Sequence, residues 1–168
     1  GFEVSFVMRH CRADTQALLE GRNFQVIKLD GAAGDQRLDA QQTAAAISPA
    51  DVIVVDHYRL GKQWEHVLAE FCDTVIALDD LAREHAVDVL VDSTYPGTSS
   101  RYEGLSNVRL LLGPKFSLMA SGYREAARRR GGRSKNTTGR ILVSLGSGDA
   151  YELTEMVLHV LSQSEFRS

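Results

Sequence analysis

The chain has 168 residues, of which 43% are hydrophobic and 24% charged, and its formal net charge is −3. A chain of this length and composition can bury a core, which excludes a disordered, collagen-like or disulfide-stapled protein. No apolar run approaches the roughly 18 residues that a membrane-spanning helix needs, so we expect no membrane partner. Cys11 and Cys72 have no metal-binding spacing, and the start does not resemble a signal peptide, so we expect reduced thiols, no metal and a cytoplasmic location.

Apolar segments rich in Val and Ile alternate with segments of helical pattern. The predicted strands are 2–8, 24–29, 52–55, 75–78, 87–91, 108–112 and 140–145. The predicted helices are 14–20, 39–47, 62–71, 123–130 and 152–161. Consecutive apolar positions are typical of strands buried on both faces. The alternation therefore predicts an α/β fold with a Rossmann-like parallel sheet, covered by helices and joined by right-handed crossovers.

Positive charge is concentrated in residues 123–140. This segment has seven basic residues and one acidic residue, whereas the rest of the chain has twelve basic and twenty-one acidic residues. A nucleic-acid-binding surface is one interpretation. We favour a linker, because residues 131–139 are rich in Gly, Ser, Asn and Thr and contain no aromatic residue. We predict a first domain at 1–127, a basic linker at 128–139 and the first β–α unit of a second domain at 140–168, with no nucleic-acid partner.

Both ends of the sequence suggest missing structure. Gly21 stands between a predicted helix and a predicted strand, and Gly1 precedes a strand in the same manner. We therefore expect a strand and a helix to precede Gly1. At the other end, a single β–α unit cannot bury its own apolar faces. We expect the chain to be incomplete at both ends.

Polar residues follow the strands that end at 55, 78 and 91. They are Asp56-His57-Tyr58, Asp79-Asp80 and Asp92-Ser93. Ligands of open parallel sheets bind at the carboxyl ends of the strands, and these groups would gather there. His57 is a candidate general acid or base, and Tyr58 a candidate hydrogen-bond donor to a sugar or a leaving oxygen. From spacing alone, the favoured interpretation is that the carboxylates Asp56, Asp80 and Asp92 only cap turns and helices.

A glycine turn follows the last predicted strand. Gly146, Ser147, Gly148 and Asp149 stand between that strand and a helix, where glycines let a phosphate approach backbone N–H groups. The sequence matches neither the dinucleotide fingerprint nor the P-loop pattern. A tight turn is therefore the favoured interpretation, and a phosphate site is the alternative.

Four segments taken together, in this order and spacing, carry a family resemblance. They are Val54-Val55-Asp56-His57-Tyr58 with Trp64-Glu65; Leu78-Asp79-Asp80-Leu81-Ala82-Arg83 with His85 and residues 88–92; residues 101–105 with 110–118; and residues 140–149. The set resembles the UDP-2,4-diacetamido-2,4,6-trideoxy-β-L-altropyranose hydrolase family of pseudaminic acid biosynthesis, from the first strand to the last helix.

The resemblance implies a GT-B-type fold of two domains, with only the start of the second present. It implies that water displaces UDP from the anomeric carbon with inversion, without a metal or a cofactor. The expected partner is a UDP-sugar, and we expect a monomer. The implied catalytic residues are Asp56, His57 and Tyr58, with Tyr58 lining the sugar site and the other two shaping its loop. The implied substrate-binding residues are Asp79 and Asp80 at the cleft, and Gly146, Ser147, Gly148 and Asp149 at the diphosphate.

The sequence departs from the family pattern at several positions. The histidine expected as principal base, in a glycine-rich loop after the first strand of the family, has no counterpart here. We therefore expect the chain alone to lack hydrolase activity and to bind UDP weakly. Arg59 stands where the family usually has glycine, and Ala120-Ser121-Gly122-Tyr123 stands where it has Arg-Pro-Glu-Phe. A GT-B-type glycosyltransferase and a non-catalytic Rossmann-like binding module are the alternative functions.

Overall fold

The computed structural model of the chain describes residues 2–31, 35–94, 98–129, 141–145 and 153–163. The chain divides into two compact units, residues 1–118 and 119–168. The predicted domain and linker boundaries at 127 and 139 stay predictions, because residues 130–140 lie outside the described part.

The described strands form two parallel sheets within the first unit. The two-stranded sheet contains β1 (Ser5–Met8) and β2 (Gln25–Lys28). The four-stranded sheet contains β3 (Ala50–Asp56), β4 (Cys72–Leu78), β5 (Val89–Asp92) and β6 (Arg109–Leu112), in that order across the sheet. The parallel pairing of the strands, with α-helices between consecutive strands from β1 to β4, confirms the predicted α/β class. Among the described residues, the connections from β4 to β5 and from β5 to β6 contain no α-helix.

Helices connect the strands at the predicted places. They are α1 (Ala13–Glu20), α2 (Gln36–Ala46) and α3 (Lys62–Leu68) in the first unit, and α4 (Ser121–Arg129) and α5 (Leu153–Gln163) in the second. Single turns of 3-10 helix lie at Ala69–Phe71, Ser99–Tyr102 and Pro114–Phe116. None of these described helices combines the length and apolar composition that a membrane span requires.

Helix α2 begins three residues earlier than the sequence pattern predicts. Asp35 is its N-cap, and the Asp35 carboxylate accepts a hydrogen bond of 2.7 Å from the backbone N–H of Leu38. Asp39, the predicted first residue, lies instead within the helix and is buried. The apolar pattern starts later than the helix because the capped first turn faces solvent.

The hydrophobic core lies between the four-stranded sheet and helices α2 and α3. Its buried members are Ala40, Ala44, Val55, Trp64, Leu68, Val75, Ala77, Val87, Leu90 and Tyr102. Ala40 and Ala44 are four residues apart, so both lie on one face of α2, and their small side chains allow α2 and α3 to approach closely.

Strand β3 is not buried on both faces, contrary to the sequence prediction for residues 52–55. Val55 is buried, whereas Val52 and Val54, on the opposite face, are 49% and 56% exposed. In the described structure β3 is the border strand of its sheet and pairs only with β4. A border strand has fewer neighbours to cover its side chains.

A buried carboxylate on α2 links the end of β1 to α3. Asp39 Oδ2 accepts a hydrogen bond of 2.6 Å from Arg9 Nε, and Asp39 Oδ1 accepts one of 2.8 Å from Trp64 Nε1. The side chains of Arg9 and Asp39 are only 12% and 9% exposed. This contact connects the region of the smaller sheet to the core of the larger one.

In the second unit, the described residues are 119–129, 141–145 and 153–163. Helices α4 and α5 confirm the predicted helices 123–130 and 152–161, and their bounds differ from the prediction by one or two residues. The predicted strand 140–145 is wrong over residues 141–145, which have no regular secondary structure. No described strand pairs with this segment, and a strand needs a neighbour for its backbone hydrogen bonds.

We predict that Asp39→Ala lowers the free energy of unfolding by about 3 kcal/mol, because it leaves the partly buried Arg9 guanidinium without its charge partner. Urea denaturation measures the change. The matched control is Asp14→Ala, which breaks the exposed Arg12–Asp14 pair and should leave the midpoint unchanged within error. Equal effects of the two substitutions would contradict the linking role of Asp39.

Candidate functional site

The carboxyl ends of the strands in the larger sheet lie along one edge. In the parallel register Asp56 is opposite Leu78, Leu78 is opposite Val91, and Val91 is opposite Leu111. The residues that follow these strands therefore share this edge. It is the place where ligands bind in open parallel sheets.

His57 stabilises the turn that follows β3. Its Nδ1 accepts hydrogen bonds from the backbone N–H groups of Arg59 and Leu60, at 3.1 and 3.2 Å. In the neutral ring the hydrogen is therefore on Nε2, which can donate to a ligand but cannot accept from one. The turn begins directly after the strand and leaves the Tyr58 side chain 69% exposed.

Tyr58 lines an open cleft of about 420 Å³. The other lining residues are Gln36, Arg59, Gly61, Lys62, Gln63, Arg83 and Glu84. The Arg59 side chain has no hydrogen bond or ion pair with the described residues. Lys62 Nζ lies 3.7 Å from Glu84 Oε2 in an exposed pair. Three cationic groups and one carboxylate line the cleft, which favours an anionic ligand.

Arg83 is held firmly at the wall of this cleft. Its Nε donates to Asp79 Oδ1 at 2.8 Å and its Nη1 donates to the carbonyl oxygen of Leu60 at 2.7 Å. Its backbone N–H also donates to Asp79 Oδ2, at 3.0 Å. The turn between Asp79 and Arg83 places Ala82 at φ +56°, a left-handed conformation that is uncommon for alanine. The hydrogen bonds of Arg83 compensate for the cost of this conformation.

Gly61 lets the loop that carries Arg83 approach the start of α3. A Cβ at this position would lie 3.3 Å from the carbonyl oxygen of Glu84, closer than side chains normally come. The Gly61 N–H donates to Gln36 Oε1 at 3.0 Å, which connects the same point to α2. The floor of the cleft therefore depends on a residue without a side chain.

Asp92, at the end of β5, is a fully buried carboxylate with several donors. Asp92 Oδ1 accepts from the Thr94 N–H at 2.9 Å and the Thr94 hydroxyl at 2.6 Å. Asp92 Oδ2 accepts from Arg101 Nη1 at 2.7 Å and from the Tyr102 hydroxyl at 3.0 Å. Arg101 Nη2 also donates to the Asp80 carbonyl oxygen at 2.5 Å. These contacts connect the loops that follow β4 and β5.

Hydrogen bonds decide the charge state of Asp79 and Asp92. Burial alone raises the pKa of each carboxyl, but the bonds from Arg83 to Asp79 outweigh burial and hold the pKa of Asp79 below its ordinary value. Thr94 and Tyr102 do the same for Asp92 and keep its pKa low. Burial and the neighbouring Asp92 raise the pKa of Tyr102, so its hydroxyl stays protonated and donates.

The structure separates the predicted site residues into two groups. Tyr58 lines the cleft, and Asp56 and His57 are exposed beside it. Asp79 is buried and its carboxylate is used by Arg83, so it holds the wall of the cleft together rather than facing it. Asp80 is exposed and does not line the cleft. The roles of these residues toward a ligand stay predictions, and Gly146, Ser147, Gly148 and Asp149 lie outside the described residues.

Sequence reasoning did not assign site roles to Glu65, Arg83, His85, Arg101 or Tyr102. All five belong to the buried or half-buried polar network at the carboxyl edge of the sheet. All five stand in the segments that carry the family resemblance. Their meeting depends on contacts between residues up to 23 positions apart, which no local pattern reveals.

No protein-family model matches the chain, and no curated protein matches it. No cluster of three or more metal-ligating side chains occurs among the residues with described positions.

We predict that acid destabilises the first unit through Asp79 and Asp92. Their folded pKa values lie below the ordinary 3.8, so their contribution to stability is complete above that value and is lost as the pH falls through the folded pKa values. Urea denaturation between pH 2 and 6 measures the slope. Asp92→Asn should reduce this slope, and an unchanged slope would argue against the predicted role of Asp92.

We also predict that Tyr102→Phe lowers the free energy of unfolding by about 1–2 kcal/mol, because it removes a buried hydroxyl donor from Asp92. Thermal or urea denaturation gives the change. Tyr123→Phe is the matched control, since Tyr123 on α4 is 67% exposed and has no comparable bond. A loss of the same size in both variants would exclude a specific role for the Tyr102 hydroxyl.

Proposed function

We propose that the chain supplies the sugar-binding side of a nucleotide-sugar hydrolase that releases UDP from a 2,4-diacetamido-2,4,6-trideoxy hexose. The observation that carries the proposal is the exposed Tyr58 at the carboxyl end of β3, in one cleft with Arg59, Lys62 and Arg83. A phenol offers a hydrogen bond to a sugar, and the three cations favour a ligand that carries a diphosphate. The ordered resemblance of the sequence segments supports the same substrate class.

In the proposed reaction, water attacks the anomeric carbon of the sugar. The bond between this carbon and the diphosphate oxygen breaks, that oxygen leaves with UDP, and the attacking water loses a proton to a base. Cations near the leaving diphosphate would stabilise the charge that develops on it. Arg83 suits this role because its hydrogen bonds to Asp79 and Leu60 fix the guanidinium before a ligand arrives.

His57 suits a supporting role in this scheme. Its Nδ1 is occupied by two backbone N–H groups, so in this arrangement the ring does not accept the proton of water through that nitrogen. Its Nε2–H is available to donate to a ligand oxygen. This agrees with the expectation that the base of the family lies in a segment without counterpart in this sequence. The GT-B-type arrangement of two domains is part of the proposal.

We predict that UDP-2,4-diacetamido-2,4,6-trideoxy-β-L-altropyranose binds the chain at the cleft. In a ¹⁵N NMR titration, the shifted amides should be those of residues 57–63 and 83–84. Tyr58→Phe should raise the Kd about three- to tenfold, the loss expected for one hydrogen bond, because the ring stays and only the hydroxyl is removed.

Tyr123→Phe is the control for this titration, since Tyr123 is as exposed as Tyr58 but lies on α4. Its Kd should equal that of the unmodified chain. UDP-glucose tests the sugar, and we expect it to bind more weakly. Absence of amide shifts at the cleft, or equal binding of the two sugar nucleotides, would contradict the proposed function.

A further inference from the structure

A buried carboxylate on α3 holds the loop that follows β4. Glu65 is fully buried, its Oε1 lies 2.6 Å from His85 Nδ1, and its Oε2 accepts a hydrogen bond of 2.6 Å from the Ala86 N–H. A carboxylate oxygen at this distance from a ring nitrogen requires a hydrogen between them. His85 Nδ1 therefore carries a hydrogen.

The other nitrogen of this ring decides its charge. His85 Nε2 is buried without a hydrogen-bond partner among the described residues, and it lies 3.5 Å from Asp79 Oδ2. In a neutral ring, the Nε2 lone pair would face this carboxylate oxygen, which is unfavourable and leaves a buried acceptor unsatisfied. In a charged ring, an N–H at Nε2 faces the carboxylate instead.

The charge balance of the surrounding network favours the charged ring. Its carboxylates are Glu65, Asp79 and Asp92, and its guanidinium groups are Arg83 and Arg101. Three negative and two positive groups leave one negative charge unbalanced. An unbalanced charge is costly in a buried site. A positive charge on the His85 ring removes the imbalance, and the charged form of the ring is therefore favoured.

We propose that His85 is a buried imidazolium that bridges Glu65 to Asp79 and so acts as the positioning residue for Arg83 in the Tyr58 cleft. The bridge fixes both ends of the short loop that carries Arg83. Asp79, at the start of this loop, accepts both the backbone N–H and the Nε–H of Arg83. At its end, His85 and Ala86 are held to α3 by Glu65.

The arrangement has a defined pH dependence. The groups that face the ring are Glu65 from α3, Asp79 from the end of β4 and Arg83 from the same loop. Burial lowers the pKa of His85, and the positive charge of Arg83 lowers it further. The hydrogen bond to Glu65 and the negative charges of Glu65 and Asp79 outweigh both effects, so the pKa of His85 lies above the ordinary 6.5. The stability that the bridge contributes is complete below pH 6.5, and it is lost as the pH rises through the pKa of His85 in the folded chain.

Ring and side-chain ¹⁵N NMR of the unliganded chain tests the proposal directly. At pH 6.5 we expect hydrogens on both ring nitrogens of His85 and a slowly exchanging Arg83 Nε–H. As the pH rises, the loss of the second His85 hydrogen and the loss of protection of Arg83 Nε–H, measured against the intrinsic base-catalysed exchange rate, should have the same midpoint.

His85→Gln tests the positioning role, with His66→Gln as its control, because His66 is an exposed histidine on α3. In His85→Gln we expect exchange of Arg83 Nε–H to be about tenfold faster at pH 6.5 and to lose its pH midpoint. The control should keep both. A singly protonated His85 at pH 6.5, or an Arg83 exchange profile that His85→Gln does not change, would overturn the proposal. The measurement on the unmodified chain decides the charge of the ring even if His85→Gln fails to fold.

The consequence for ligand binding rests on the proposed function. The affinity for the sugar nucleotide should fall with the same midpoint as His85 deprotonates, and this pH dependence should be absent in His85→Gln. If His85 and Arg83 behave as described but no sugar nucleotide binds at any pH, the imidazolium bridge is supported and the proposed function fails. If the nucleotide binds and His85 is neutral at pH 6.5, the proposed function stands and the bridge is overturned.

Discussion

The arrangement of this protein depends on burying carboxylates at the ends of parallel strands. Asp79 directly follows β4, and Asp92 is the last residue of β5. Both side chains are almost completely buried. An enclosed carboxylate is stable only with enough donors, because an unsatisfied charge costs several kcal/mol. Arg83, Arg101, Tyr102 and Thr94 supply these donors, so the loops that carry them have little freedom to move away. The carboxylates thereby hold the two connections that follow β4 and β5 together at one edge of the sheet.

The need to supply donors to buried carboxylates also explains why one side of the cleft is fixed and the other side is exposed to solvent. Arg83 is fixed by Asp79 and by the carbonyl oxygen of Leu60, whereas Tyr58 and Arg59 extend toward solvent from a turn that His57 holds. In the proposed function, the fixed cation would pre-organise the site for an anion, and the exposed side chains would contact the rest of the ligand.

Asp39 performs a comparable task at a second place in the first unit. It joins Arg9, beyond β1, to Trp64 on α3, and so connects the two-stranded sheet to the main core through α2. The smaller sheet and the border strand β3 share no backbone ladder in the described structure. The polar contact through α2 is therefore important for keeping these parts together, and it explains why a charged side chain is tolerated within the helix.

The amino-acid sequence was enough to predict the class of fold and, within residues 5–112, the order of most strands and helices. Runs of Val and Ile at 52–55 and 75–78, with helical patterns between them, predict parallel strands joined by helices, since each pattern reflects burial that repeats over a few residues. It also placed Asp56, His57, Tyr58 and Asp79 at the carboxyl ends of strands. It did not distinguish the exposed Tyr58 from the buried Asp79, because both follow an apolar strand in the same way.

Tertiary structure alone decided which polar groups meet. Glu65 and His85 are 20 residues apart, and Asp92 and Tyr102 are 10 apart, so their contacts depend on how α3 and the loops pack. The tertiary structure likewise showed that β3 is half exposed and that residues 141–145 form no strand, because pairing depends on a neighbouring strand that local sequence does not encode. Short-range patterns record which residues are buried, whereas the partner of a buried charge is fixed only when distant segments come together.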